Sequence, residues 1–152
     1  KVWDTNFGKI GIGICWDQWF TEAARIMALK GAEILFYPTA IGDELSSEYD
    51  SSGAWQRVMQ GHAAANIMPV VASNRIGSES VKGQVNGFYG KSFICDRSGK
   101  IISEASKDKE EIIIADIDTE EDHLFRRNWG LFRDRRTELY NEILTLEGTI
   151  KD

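Results

Sequence analysis

Only two histidines and two cysteines occur among the 152 residues. His62 and His123 stand far apart and offer no metal-ligand spacing, so no metal is expected. Cys15 and Cys95 form no C-x-x-C pair, which points to free thiols in a reducing, cytoplasmic setting rather than to a disulfide scaffold. No apolar run approaches the roughly 18–20 residues that a membrane span needs, so no membrane is expected as a partner. Basic residues are also scarce, 18 against 24 acidic, for a net charge of −6. That balance leaves no basic stripe to neutralise phosphates, which argues against nucleic acid. The local cluster Arg126, Arg127, Arg133, Arg135 and Arg136 is interleaved with acids and reads as a solvated or salt-bridged surface. The sequence opens at Lys1 rather than at a methionine, and none of it is expected to be a leader. Strand-like sequence begins within the first few residues, as expected for a piece of a longer chain.

What is present suits one α/β domain over residues 1–152. Ile10, Ile12 and Ile14 alternate with Gly11 and Gly13, a period-two strand running straight into Cys15. Glycines on that face imply that something packs close to it. Residues 20–30 read as a helix with Thr21 as its cap, Glu22 in its first turn and Gly31 as its stop. The apolar run Ala32–Tyr37 reads as a buried strand, and strand, helix and strand in this order favour parallel pairing. An acidic, Ser-rich loop at 40–53 carries Asp43, Glu44, Glu48 and Asp50, and a loop of that length in a compact domain is usually functional. A helix at 54–67 follows, with Trp55, Val58, Met59, His62 and Ala63 on one face. Pro69–Ser73 is a further buried strand, ending at Asn74. Residues 77–87 read as a loop. Phe88–Asp96 and Lys100–Ala105 form a hairpin around the turn 97–100. Glu110–Ile117 reads as another strand, Asp118 and Thr119 open a helix to about residue 127, and Thr137 caps a short helix to about Leu146.

Cys15 stands where a strand hands over to a helix. There a side chain faces the crevice at the carboxyl end of a parallel sheet, the helix N-terminus favours a thiolate, and backbone N–H groups are placed to hold an oxyanion. From position alone, a small buried cysteine remains an equal reading. The segment from Gly11 to Arg25, containing Cys15-Trp16-Asp17-Gln18-Trp19-Phe20, resembles the nucleophile segment of the nitrilase superfamily. Gly31–Pro38, Trp55, Asn74-Arg75-Ile76-Gly77, Phe88–Ser92 and Gly99 match that superfamily's pattern in order. Tyr37–Gly42, Arg57–His62 and Trp129–Arg136 are similar to its N-carbamoylputrescine-hydrolysing branch. Thr21 departs from the proline usual at that position, and either residue suits a helix start.

This resemblance implies an α-β-β-α sandwich of the nitrilase type, present in part and lacking its N-terminal portion. It implies a Glu-Lys-Cys triad of which Cys15 alone lies in this sequence. Cys15 is then the nucleophile, and the Trp16 N–H is one oxyanion donor. The substrate implied is a small carbamoylated amine, with no cofactor and no metal; the alternatives are a hydrolase of the same superfamily acting on an N-carbamoyl amino acid or 3-ureidopropionate, and a non-catalytic truncated subunit acting as a scaffold. Glu44 is the candidate for the substrate's distal ammonium, since a carboxylate answers a cation best. Asn74 is a second candidate substrate-binding residue, with a turn role as the alternative. Asp17 and Glu22 read as braces for Arg25 or its neighbours behind the nucleophile, His62 as a core or subunit-contact residue, Cys95 as inert, and Trp55 and Trp129 as packing anchors, with lining of the pocket or of a subunit interface as their alternative. Homo-oligomers built on the helix at 54–67 and the tail after Trp129 are also implied. The 152 residues alone are expected to be inactive, with apolar sheet faces and strand edges left uncovered.

Overall fold

A computed structural model describes residues 1–42, 50–146 and 148. Two antiparallel strands open the chain, β1 (Val2–Thr5) and β2 (Gly8–Ile12), joined where Gly8 takes a positive φ. A 3₁₀ turn at Cys15–Trp19 leads into α1 (Thr21–Leu29), and Gly31 at φ +89° turns the chain back into β3 (Ile34–Thr39). The longer α2 (Ser52–Asn66) returns it to β4 (Val70–Asn74). β2, β3 and β4 are parallel neighbours, as the alternation of apolar strand and helix predicts. A small hairpin, β5 (Ser78–Val81) with β6 (Gln84–Gly87), precedes β7 (Phe93–Cys95) and β8 (Ile101–Glu104), which extend the sheet antiparallel. The main sheet has six strands in the order β1-β2-β3-β4-β7-β8. The last helix, α3 (Thr119–Trp129), is capped by the Asp118 carboxylate, which accepts the Glu121 N–H at 2.9 Å.

One face of this sheet is the core. Leu35, Tyr37, Val70, Ala72, Phe93 and Cys95 pack against Ala24, Met27 and Ala28 of α1 and Trp55, Met59 and Ala63 of α2. Gly11 and Gly13 lie on this face, and the close packing they imply comes from Leu35 with Met27 and from Tyr37 respectively. The alternate residues Ile10, Ile12, Ile34, Phe36 and Val71 are only half-buried on the opposite face, an apolar surface with no helix layer over it among the described residues. The chain thus forms one helix-on-sheet layer of the expected sandwich.

Several expectations are corrected. Residues 77–87 are not a plain loop: Lys82 and Gly83, both at positive φ, make a two-residue turn between β5 and β6. The strand expected over Phe88–Asp96 shortens to β7, because Gly90 and Lys91 take left-handed φ and break the ladder. Residues 110–117 pair with no strand among the described residues, and Ile112 stands 90 % exposed. The helix after Thr137 is two short 3₁₀ turns, Thr137–Leu139 and Asn141–Leu144. Thr21 is the first residue of α1 rather than its cap, and its hydroxyl donates to Glu22 at 3.2 Å. Trp129 anchors no core: it is 63 % exposed and stacks on Phe125. Arg126 is not a surface charge, since its guanidinium is half-buried and donates to the carbonyls of Ile67 and Ala32. That contact ties α3 to the ends of α2 and α1.

Candidate active site

The parallel strands end side by side, and their carboxyl ends gather Cys15, Thr39 and Asn74. This is the edge at which open α/β sheets bind ligands. β2 stops at Ile12, Gly13 still donates to the Phe36 carbonyl, and the chain then turns sharply. Cys15 takes φ +51°. A non-glycine residue in that left-handed region costs roughly 1–3 kcal/mol and persists only where its surroundings hold it. Residue 15 is not part of the buried core. Cys15 is partly exposed, and its neighbours Ile14 and Trp16 are 66 % and 63 % exposed.

Two devices hold the turn. In front, the Ile14 N–H donates to the Asp17 carboxylate at 2.9 Å, while the Asp17 N–H donates to the Ile14 carbonyl at 3.1 Å. Of the two kinds of partner expected for Asp17, it braces the neighbour Ile14, and Arg25 donates to the Ala65 carbonyl at 2.8 Å. The turn's own hydrogen bonds begin at the Asp17 N–H, so the Trp16 N–H lies ahead of the ladder, as the first donors of any helical turn do. Behind the turn sits Gln18, buried to 1 % exposure. Its side-chain oxygen accepts the Trp55 indole N–H at 2.7 Å, and its amide nitrogen donates to the Thr39 hydroxyl at 3.3 Å. Its main-chain carbonyl lies 2.8 Å from His62 Nε2. A carbonyl only accepts, so the proton of this ring is on Nε2. Burial lowers the pKa of His62, opposed by the Gln18 hydrogen bond and the charge of Glu22. Sequence reasoning missed Gln18, since nothing in its spacing separates it from its motif neighbours.

Asn74 spends its side chain on the backbone. Its oxygen accepts the Ile41 and Arg75 N–H groups, each at 2.9 Å. Its amide donates to the carbonyls of Ile41 at 3.1 Å and Gly90 at 3.0 Å. It fastens the segment Thr39–Gly42 to the ends of β4 and the 88–92 stretch. Glu44 lies outside the described residues. Trp55 is buried and meets Phe93 edge-on at 5.6 Å. Cys95 is buried in β7, and burial pushes its thiol up to about 11, far from the nucleophilic range at neutral pH. A groove of about 620 Å³ lies elsewhere, between the outer sides of α1 and α2 and the tail, and does not include Cys15. No helix among the described residues is long and apolar enough to cross a membrane.

Comparison with known proteins gives the family and agrees with the fold. The model of the carbon–nitrogen hydrolase family matches residues 1–127. A citrullinase from Francisella tularensis is 59 % identical over 95 % of this chain and 51 % of its own length. An N-carbamoylputrescine amidase from Arabidopsis thaliana is 52 % identical over 99 % of this chain and 52 % of its own. Among solved structures, a carbon–nitrogen hydrolase from Helicobacter pylori superposes with a TM-score of 0.84 at 46 % identity, over 93 % of this chain and 51 % of that one. The chain spans about half the length of the relatives it matches.

Proposed function

We propose, from the premise that this chain belongs to the carbon–nitrogen hydrolase family, that it carries the nucleophile of a thiol hydrolase acting on a small carbamoylated amine. The observation that carries this reading is Cys15 itself: a partly exposed cysteine, in a left-handed conformation, at the carboxyl end of a parallel strand. N-Carbamoylputrescine is the favoured substrate. Relatives about half identical over nearly the whole chain bear the name N-carbamoylputrescine amidase, and the Tyr37–Gly42 and Trp129–Arg136 motifs resemble that branch.

In the proposed reaction the Cys15 sulfur attacks the ureido carbonyl carbon, and the carbonyl electrons move onto oxygen. The Trp16 N–H and a lysine from outside this chain hold that oxyanion. A glutamate, also from outside, takes the thiol proton and delivers it to the departing ammonia. The resulting carbamoyl thioester on Cys15 is cleaved by water, activated by the same glutamate, and the carbamate released falls to carbon dioxide and putrescine. This chemistry would place the complete enzyme in diamine and polyamine formation. Glu44 would receive the distal ammonium, and Asn74 would support it indirectly by fixing Thr39–Gly42, the segment that precedes Glu44. Exposed Ile26 and Leu29 on the outer side of α1, with Leu131 and Leu144 along the tail, support self-association.

One observation favours a second substrate. The relative named citrullinase is 59 % identical, and citrulline presents the same ureido group on a chain ending in both an ammonium and a carboxylate. Ammonia release from N-carbamoylputrescine, citrulline and 3-ureidopropionate, measured side by side in the full-length protein and its Cys15→Ser variant, tests both readings. Preference for the cationic substrate, lost in Cys15→Ser, is expected. Preference for citrulline favours the second reading, and undiminished turnover in Cys15→Ser removes both.

A further inference from the structure

Gln18 is a primary amide buried among apolar side chains, and the reaction above does not use it. Removing such a group from water costs free energy unless its hydrogen bonds are replaced. Here the replacement reaches two separate elements, Trp55 on α2 and Thr39 at the end of β3, and the Gln18 main-chain carbonyl adds a bond with His62 of α2. A side chain such as leucine would fill similar space without the two side-chain bonds, and a buried polar network adds little net stability over an apolar filling. What the network does supply is direction, since each bond has a fixed donor, acceptor and angle.

That direction matters at this place because of Cys15. A left-handed cysteine needs surroundings that over-determine it. Asp17 fixes the front of the turn through Ile14, but those contacts are internal to the turn and would travel with it. The Gln18 contacts fix the turn to the body of the domain. The link to Thr39 adds a second consequence. Thr39 opens the segment Thr39–Gly42, which Asn74 fastens from its other side. One amide therefore touches both the turn that carries the sulfur and the segment that leads to Glu44.

We infer that Gln18 is the positioning residue of this site: hydrogen-bonded through its side chain to Trp55 and Thr39, and through its main-chain carbonyl to His62, it sets where the Cys15 sulfur stands relative to the substrate-facing segment. The inference rests on the nucleophile role given to Cys15. Gln18 touches no reacting atom. It acts through the backbone of Cys15 and through Thr39.

The test is steady-state kinetics of the full-length protein carrying Gln18→Leu, Trp55→Phe or Thr39→Val, with folded fraction and melting temperature measured on the same samples. Trp55→Phe removes one N–H and keeps an aromatic ring beside Tyr89 and Phe93, and Thr39→Val removes one hydroxyl. A sulfur displaced by about 1 Å should lower kcat by roughly 10²-fold in Gln18→Leu while KM changes little. The two partner variants should lower kcat by smaller factors, and each should lose its effect in the Gln18→Leu background, because the bond it breaks is already gone. A role confined to stability would lower the melting temperature and leave kcat per folded molecule unchanged. That result, or partner effects that multiply undiminished in the Gln18→Leu background, overturns the inference. If Gln18→Leu does not fold, Trp55→Phe and Thr39→Val carry the test, and unchanged kcat in both overturns it. None of these outcomes is confused with failure of the hydrolase reading, which would show as full turnover in Cys15→Ser.

Discussion

Replacing Gly13 by alanine probes the packing beneath the Cys15 turn most sharply. A Cβ at this position would stand 2.6 Å from Tyr37 Cε1, 3.0 Å from Tyr37 Cδ1 and 3.3 Å from Asp17 Cβ. Carbon atoms in contact prefer about 3.5–4.0 Å, so the overlap with the ring is about 1 Å. Neither side yields easily. Tyr37 is fully buried against the helices, and Gly13 is fixed by its N–H bond to the Phe36 carbonyl. Overpacking of this kind costs about 1–3 kcal/mol, which in a domain of this size lowers the melting temperature by roughly 2–12 °C. Gly61 provides the opposite case. It lies inside α2, and a Cβ there meets nothing within 4 Å. Gly61→Ala should stabilise by about 0.5–1 kcal/mol, or roughly 1–4 °C, through helix propensity alone. Thermal melts followed by circular dichroism read both. A Tyr37→Val background should relieve most of the Gly13→Ala cost, whereas Tyr37→Phe, which keeps the ring, should not. A Gly13→Ala melt equal to that of the parent would refute the packing argument.

Three further outcomes are expected. Burial holds the His62 pKa below its ordinary value, so the unfolded chain binds the extra proton first. The stability contributed by neutral His62 is complete above about pH 6.5 and falls as the pH drops below it. Urea unfolding at about pH 7.5 and about pH 5.5 should show a smaller acid loss in His62→Gln than in the parent, and equal losses would contradict the burial argument. Glu44→Gln in the full-length protein should raise KM for N-carbamoylputrescine far more than for a neutral ureido compound, and equal effects would remove Glu44 from the site. The 152 residues purified alone should release no ammonia from N-carbamoylputrescine, because a thiolate without its base and oxyanion partner is inert as a hydrolase. Turnover at the full-length rate would refute this.

The β-α-β-α-β order could be read from the sequence because its signals are local. Alternating Ile and Gly, the apolar run to Tyr37 and the helical spacing from Trp55 to Ala63 each lie within one element. The place of Cys15 at the end of β2 was legible for the same reason, since strand, cysteine and helix are consecutive, while the role proposed for it was drawn from the resemblance. What was missed depends on partners distant in sequence. Ser78–Gly87 is too polar to resemble strands, and only the paired Lys82-Gly83 turn, a short-range signal passed over, marks a hairpin. Residues 110–117 have strand propensity, but a strand exists only against a neighbour, and none lies beside them among the described residues. Arg126 looked like one charge in a basic cluster, yet its hydrogen bonds run to carbonyls 59 and 94 positions away. Gln18 is the same case at the site: its partners lie 21, 37 and 44 positions downstream.

The role of Cys15 is tested most directly by trapping the covalent intermediate. The full-length protein is mixed with N-carbamoylputrescine, quenched in acid during turnover and digested with trypsin. The two thiols then fall on separate peptides, Ile10–Arg25 and Ser92–Arg97. Mass spectrometry should find the mass of substrate minus ammonia on the peptide carrying Cys15, and neither that peptide in Cys15→Ser nor the Cys95 peptide should gain it. The adduct on Cys95, or steady turnover with no dependence on the thiol at position 15, would contradict the account.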